Sequence, residues 1–378
     1  MASESVTHFC DLPGAFTLQS GESLGGVRLA YEIYGEINEE ADNVILVFHA
    51  LTGSQHAAGH NPSVPEAAAL WTEEMAEGWW SGFIGPGKAL DTDRFAVLCV
   101  NYLGGCYGST GPSSMDPSTG APYGSAFPDV TLTDVVDSQV QLAEHLGIRR
   151  FHAVVGGSVG GLMCAVLATR YPDRVEMVIP IAAGLEVTSL QVLHNFEQMF
   201  AIVTDPAFRG GDYYPGPGPE LGLALARMIG HKTFVSLDAL RERARDEIVE
   251  HEDLGGYRVG HTLESYMLHQ AQKFTKRFDA NTYLGIMSLW QQFDLAKEVG
   301  APIGELLSRC THQRWMVFTI DSDVCFYPDE QEQMVAALMA ADVPVRRFTV
   351  HSNKGHDSFL VEPHLYTALL RSALHGHW

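Results

Sequence analysis

The stretch FHAVVGGSVGGLMCAVL (151–167) decides the fold of this chain. It begins with an apolar run typical of a buried strand and ends with an apolar segment of helical length. Between the two, Gly156-Gly157-Ser158-Val159-Gly160 places one serine among glycines. Strand, Gly-x-Ser-x-Gly turn and helix form the context in which such a serine sits on a sharp, strained turn. A Cβ at either flanking glycine would clash with the neighbouring strand or helix.

The turn alone has two explanations. It is either a nucleophile elbow or a glycine-rich turn that only permits close packing or cradles a phosphate. Residues elsewhere in the chain have to decide between these two explanations.

The segments around this turn predict an α/β fold with a helical insertion. Apolar strands are expected at 27–37, 43–51, 95–103, 175–183, 314–320 and 343–350, and helices between them at 131–146, 328–342 and 364–374. Strands that are apolar throughout and alternate with helices indicate a mostly parallel sheet flanked by helices on both faces. The insertion follows the strand after the elbow helix, with helices expected at 186–203, 219–230, 235–250, 262–276 and 280–298. We therefore expect a core of 1–184 and 311–378 interrupted by a helical cap, 185–310.

Composition and charge argue against nucleic-acid and membrane partners and favour the cytoplasm. With 46% hydrophobic and 19% charged residues, the 378-residue chain has the composition of a soluble globular protein. A net charge of −22 argues against nucleic acid or an anionic membrane as a partner. Neither a signal peptide nor a membrane span is expected. Six cysteines without paired spacing (10, 99, 106, 164, 310 and 325) are expected to be buried free thiols, which favours the cytoplasm.

Acids and histidines follow two late strands in the order that a serine nucleophile requires. A serine hydroxyl needs a base, and the base needs an acid to orient it. In the α/β-hydrolase arrangement these partners come in the order Ser, Asp or Glu, then His, at the carboxyl ends of strands. Asp321 and Asp323 follow strand 314–320, whereas His351 and His356 follow strand 343–350. Position favours Asp323 and His356, which lie further into their loops, with Asp321 as a turn residue and His351 as a surface histidine.

Acyl transfer also needs two backbone N–H groups for the oxyanion. One is expected from Val159, directly after the serine. The other is expected from Leu51, in the loop HALTG (49–53) that follows an early strand. An ordinary strand-to-loop turn is the alternative explanation of that loop.

Over nearly its whole length the chain resembles the homoserine O-acetyltransferase family, the α/β-hydrolase-fold acyltransferases of methionine biosynthesis. The segments that carry the resemblance are HALTGSQH (49–56), NYLGGCYGSTGPSS (101–114), VVGGSVGG (154–161), DPAFRGGDYY (205–214), GLALARMIGHKTF (222–234), KFTKRFDANTYL (273–284), SDVCFYPDEQ (322–331) and GHDSFLVE (355–362). The resemblance implies Ser158 as nucleophile, Asp323 as acid and His356 as base. It also implies that Arg227 and Asp357 bind the acceptor, since a zwitterionic amino acid needs a cation for its carboxylate and an anion for its ammonium.

The implied reaction is ping-pong transfer of acetyl from acetyl-CoA, a co-substrate, to the hydroxyl of L-homoserine through an acyl-serine. No metal and no bound cofactor are expected. The cap would form the tunnel for the CoA arm, and family members are usually homodimers through it, for which helix 280–298 is a compatible surface.

Departures from the family pattern bear on the substrates. Succinyl-CoA users carry an arginine two residues after the catalytic aspartate, where this chain has Cys325, so acetyl is favoured. Phe234 stands where a tyrosine is usual, so a phenol near the acceptor site is lost. Serine, which is one methylene shorter than homoserine, is then a competing acceptor, because one methylene in a pocket changes the free energy of transition-state binding by only about 1–3 kcal/mol. The residues also leave open a succinyl donor, a serine esterase and a non-catalytic binding module.

Overall fold

A computed structural model describes residues 4–244, 253–254 and 256–378, without the side chains of 253 and 254. Fourteen strands occur in this part of the chain, in chain order β1 (His8–Asp11), β2 (Ala15–Thr17), β3 (Ser23–Gly25), β4 (Arg28–Tyr34), β5 (Val44–Phe48), β6 (Ile84–Gly85), β7 (Leu90–Asp91), β8 (Ala96–Val100), β9 (Phe151–Gly157), β10 (Val175–Ile181), β11 (Asp253–Leu254), β12 (Tyr257–Arg258), β13 (Arg314–Ile320) and β14 (Val345–Val350).

Twelve α-helices occur in the same described part, namely α1 (Leu132–His145), α2 (Val159–Arg170), α3 (Ser189–Val203), α4 (Glu220–Phe234), α5 (Leu237–Ala244), α6 (Thr262–Thr275), α7 (Ala280–Gln291), α8 (Leu295–Val299), α9 (Ile303–Ser308), α10 (Pro328–Ala340), α11 (Ser358–Val361) and α12 (Pro363–Leu374). None of these described helices has the length and apolar character needed to cross a membrane.

The core is one eight-stranded sheet in the order β1-β4-β8-β5-β9-β10-β13-β14. The strands from β8 to β14 in this order run parallel, and only β4 pairs in antiparallel fashion with its two neighbours. The central strands are apolar because helices cover them, and every residue of β5 and β8 is buried. The expected mostly parallel sheet flanked by helices is confirmed.

The long helical segment lies between β10 and β13, and it contains α3 to α9 and the short hairpin β11–β12. One prediction here was wrong: the single helix 280–298 is two helices, α7 and α8. Asp294 accepts hydrogen bonds from the N–H groups of Ala296 and Lys297 and so begins α8 as its N-cap. The predicted helix 235–250 is described as α5, and its last six residues lie outside the described part.

The short antiparallel hairpin β2–β3 and the short parallel pair β6–β7 were not predicted, and neither was β1. Strands of two to four residues are too short to show a periodicity. All six cysteines are buried and free, as expected.

Candidate active site

Ser158 lies on the turn between β9 and α2, in the centre of the sheet. Its backbone has φ 60° and ψ −130°, an uncommon conformation for a residue with a side chain. A Cβ at Gly156 would lie 2.3 Å from the carbonyl oxygen of Gly160, and one at Gly160 would lie 2.4 Å from that of Phe48 in β5. The glycines are therefore required by the close approach of turn and strand, as the sequence predicted.

Asp323 and His356 are brought together by the loops after β13 and β14. His356 Nδ1 lies 2.6 Å from Asp323 Oδ2. The other oxygen of Asp323 accepts the N–H groups of Cys325 and Phe326, at 2.7 and 2.9 Å. Asp323 is 2% exposed and His356 is 3% exposed, so this couple is shielded from solvent.

The surroundings of His356 act on its pKa in opposite directions. Burial disfavours the charged imidazolium, but Asp323, through its charge and its hydrogen bond, outweighs burial. Asp357 and Glu330 act in the same direction as Asp323, so the pKa of His356 is raised above its ordinary value. The Nε2 atom is buried and has no hydrogen-bond partner among the described residues.

Asp321 and His351 form a separate pair at the surface. His351 Nδ1 lies 2.8 Å from Asp321 Oδ2, and the His351 side chain is 83% exposed. Neither residue lines the cavity that contains Ser158.

A cavity of about 270 Å³ joins the residues that the sequence singled out. Its lining includes Ser158, His356, Leu51, Arg227 and Asp357. These residues come from the elbow, from the loops after β5 and β14 and from α4, so the fold gathers positions that are far apart in the chain.

Neither of the two backbone N–H groups expected to hold an oxyanion has a hydrogen-bond acceptor in the part of the chain that the structure describes. Val159 is the first residue of α2, so its N–H has no intrahelical acceptor. The N–H of Leu51 has no acceptor within the described residues. His49, at the start of this loop, is stacked on Tyr102 with ring centroids 3.6 Å apart. Burial lowers the pKa of His49 to about 4.

Arg227 and Asp357 face the cavity without pairing with each other. The Arg227 guanidinium lies over the Phe274 and Phe234 rings, with Cζ 4.9 and 5.8 Å from their centroids. Its Nε is buried without a partner among the described residues. Burial lowers the pKa of Arg227 and raises that of Asp357.

Comparison with known proteins gives this arrangement a family. Residues 43–363 match the model of the alpha/beta hydrolase fold. The chain is 42% identical to homoserine O-succinyltransferase of Alkalilimnicola ehrlichii, over 95% of this chain and 92% of that protein. It is 40% identical to homoserine O-acetyltransferase of Methanosalsum zhilinae, over 94% of this chain and 70% of that protein. The chain belongs to the homoserine O-acyltransferase family.

Solved structures agree with this assignment of family and fold. The structure of homoserine O-acetyltransferase from Bacillus anthracis superposes with a TM-score of 0.87, at 26% identity over 98% of both chains. Esterase E22 superposes with a TM-score of 0.85, at 27% identity over 98% of this chain and all of that one. The names of the relatives thus refer to two acyl groups, succinyl and acetyl, and the name of one structural neighbour refers to ester hydrolysis.

Sequence reasoning missed several ionisable residues at the site, of which Arg277 and Glu330 lie beside the predicted residues. Arg277 lines the cavity, and Glu330 lies close enough to His356 to raise its pKa. Glu330 accepts the N–H of Tyr327 at 2.8 Å, and burial raises its own pKa to about 7. Both residues lie in segments that carry the family resemblance. Arg277 follows two nearby lysines and Glu330 lies in a polar helix start, and neither pattern by itself indicates a site residue.

Proposed function

We propose that the chain is a homoserine O-acyltransferase that works through an acyl-enzyme on Ser158. The observation that carries this proposal is the buried Asp323–His356 couple, whose free Nε2 belongs to the same cavity as the elbow serine. A histidine held by a carboxylate at Nδ1 is oriented to accept a proton at Nε2. Catalytic hydrogen bonds are often unformed without substrate and tighten when it binds.

In the proposed reaction His356 takes the proton of Ser158 as its oxygen attacks the thioester carbonyl of an acyl-CoA. The N–H groups of Leu51 and Val159 stabilise the oxyanion, and CoA leaves as the thiol after receiving that proton. The acceptor hydroxyl then gives its proton to His356 and attacks the acyl-serine, which releases the O-acyl product and restores Ser158.

Arg227 and Asp357 suit the acceptor in this proposal. A guanidinium without an internal partner can bind the α-carboxylate, and a carboxylate beside it can bind the α-ammonium. Because both side chains line the cavity with Ser158, the acceptor would be fixed with its hydroxyl near the acyl-serine.

Acetyl is the proposed acyl group. Cys325 is buried and 4% exposed, and burial holds the pKa of its thiol well above the ordinary value, so it offers no cation to a succinyl carboxylate. The names of the relatives include both donors.

The experiment that tests the function measures CoA release from acetyl-CoA and from succinyl-CoA, each with L-homoserine and with L-serine. We expect release with acetyl-CoA that requires homoserine. Release that is independent of either acceptor would favour ester or thioester hydrolysis, the second candidate, which is supported by the structural likeness to esterase E22.

A homodimer through the cap is also proposed, but through a different surface from helix 280–298. The apolar side chains of α7, such as Ile286, Met287 and Trp290, are buried within the chain. Most of the exposed large apolar side chains of the cap, among its described residues, lie instead on α3 and α4, namely Leu190, Leu193, Phe196, Phe200, Val203, Leu221 and Leu225. Their spacing of three and four residues makes one stripe along α3, and such a patch is typical of a protein interface.

A further inference from the structure

Arg277 places a second guanidinium in the cavity of Ser158. It lies two residues after the end of α6 and lines the cavity with Arg227. Its Nη1 donates to the carbonyl of Thr52 at 3.3 Å and to the Tyr107 hydroxyl at 3.4 Å, and lies 3.8 Å from the Met75 sulfur. All three contacts are long and go to neutral atoms, so they do not balance its charge.

Arg227 and Arg277 are close to one another. Their Cζ atoms lie 4.9 and 5.1 Å from the centroid of the same ring, that of Phe274. Phe278 stacks on this ring with centroids 5.2 Å apart, and so covers part of it. The proximity of Arg277 adds to burial in lowering the pKa of Arg227. Two like charges in a partly desolvated cavity repel each other, and an anion that lies near both offsets this repulsion.

Of the carboxylates that line this cavity among the described residues, Glu74 pairs with Lys273 at 3.0 Å and Glu77 lies 2.8 Å from His60 Nδ1, so neither is paired with an arginine of the cavity. Among the described residues neither guanidinium forms an ion pair, although the sequence has 46 Asp and Glu against 24 Lys and Arg. Asp357 lines the same cavity, but Arg227 makes no hydrogen bond or ion pair with it. The missing counter-charge is therefore expected from a ligand.

We propose that Arg277 is a second carboxylate-binding residue, which acts beside Arg227 on an anionic group of a substrate. The planar fork of a guanidinium matches a carboxylate in a bidentate manner, and its aromatic support at Phe274 holds the fork in place. The carboxylates of Glu74 and Glu77 also line the cavity, which disfavours the more highly charged diphosphate of CoA at this point.

The carboxylate has two possible sources in the proposed reaction, on which this inference rests. One is the α-carboxylate of the acceptor, and the other is the terminal carboxylate of a dicarboxylic acyl donor. Arg277 contacts Thr52, which adjoins the proposed oxyanion donor Leu51, so a short acyl tail on Ser158 would lie on the Arg277 side of the cavity.

The test uses full-length Ser158→Ala protein, which cannot form an acyl-enzyme, as the parent for Arg277→Gln, Arg277→Lys and the control Lys276→Gln. Lys276 is an exposed neighbour that does not line the cavity. Calorimetry measures the binding of two matched pairs of ligands: L-homoserine with 2-amino-1,4-butanediol, and succinyl-CoA with acetyl-CoA. In each pair only the first member has the carboxylate in question.

We expect Arg277→Gln to weaken one carboxylate ligand by about tenfold or more relative to its partner, with partial recovery in Arg277→Lys and no effect of Lys276→Gln. Selective loss with homoserine assigns Arg277 to the acceptor. Selective loss with succinyl-CoA assigns it to the donor and also overturns the choice of acetyl.

Equal changes within both pairs, or none, would overturn the inference, because a purely structural role of Arg277 affects both members of a pair alike. Failure of the parent to bind either carboxylate ligand would overturn it as well. Neither result bears on whether the protein with Ser158 intact transfers acyl groups, which the CoA-release assay decides separately.

Discussion

The imidazole of His356 is held by three neighbours. Asp323 binds Nδ1, Phe326 stacks on one side with ring centroids 5.4 Å apart, and Phe359 contacts the ring edge-on at 5.3 Å. These contacts fix the plane of the ring and leave only Nε2 toward the cavity. In the proposed reaction, an imidazole held in this way keeps the same ring orientation when it accepts a proton.

Asp323→Asn tests the role of the carboxylate. The change removes the charge that raises the pKa of His356, so the acidic limb of the pH–rate profile should move to lower pH. The sign follows because the base acts when neutral, and a lower pKa keeps it neutral to lower pH. We expect kcat to fall on the order of 10⁴-fold through loss of the correct tautomer. An unchanged acidic limb in steady-state profiles would mean that another group controls it.

Arg227→Ala should separate the two half-reactions. Loss of the proposed carboxylate partner should raise KM for homoserine by at least tenfold, since charge-assisted hydrogen bonds are worth about 1.5–3 kcal/mol. Formation of the acyl-enzyme from acetyl-CoA, followed by rapid quench, should change little. Saturation by homoserine at the same concentration as in the unaltered enzyme would contradict the assigned role.

At the scale of elements, the elbow depends on the close approach of β9, α2 and β5. Its strand, turn and helix were all predictable from sequence because each is a continuous local pattern. The break between α7 and α8 was not, because apolar residues recur through 286–295, whereas α7 ends at Gln291 and α8 begins only after its N-cap, Asp294. The hairpin β2–β3 and the parallel pair β6–β7 were missed because strands of two or three residues show no periodicity.

Gly160→Ala tests the close approach of α2 to β5. The new Cβ would lie 2.4 Å from the Phe48 carbonyl and 2.9 Å from that of His49, both backbone atoms that cannot move independently of the sheet. We expect a loss of roughly 2–4 kcal/mol in the free energy of unfolding, measured by urea titration. Gly304→Ala in α9, where the new Cβ meets nothing within 4 Å, is the matched control and should be neutral or stabilising. Equal stability of the two variants would show that the turn tolerates a side chain.

For the molecule as a whole, sequence predicted which residues meet but not how the cap completes the site. The order Ser158, Asp323, His356 and the family segments predicted the members of the cavity, because the fold fixes where strand ends lie. Arg277 was missed since its position depends on how the cap packs over the loop of Thr52, a contact between residues 225 positions apart. The exposed stripe on α3 was likewise hidden, because a helical period shows an apolar face but not what covers it.

Phe196→Asp tests the proposed dimer. Phe196 is 55% exposed and belongs to the stripe on α3, so a charge there should cost little in the monomer but prevent burial against a second copy. We expect a dimer for the unaltered protein and a monomer for the variant in sedimentation velocity. Met339→Asp, which changes a 65% exposed methionine on α10 instead, should stay dimeric. A monomeric unaltered protein would contradict the proposal.

The proposed chemistry depends on an acyl group passing through Ser158. Intact-protein mass spectrometry after brief mixing with acetyl-CoA measures this directly. We expect one added acetyl group, located on Ser158 by peptide mapping, absent from Ser158→Ala and discharged when L-homoserine is added. Homoserine-dependent CoA release by a protein that never carries the acetyl group, or that carries it on another residue, would contradict the proposed acyl-serine.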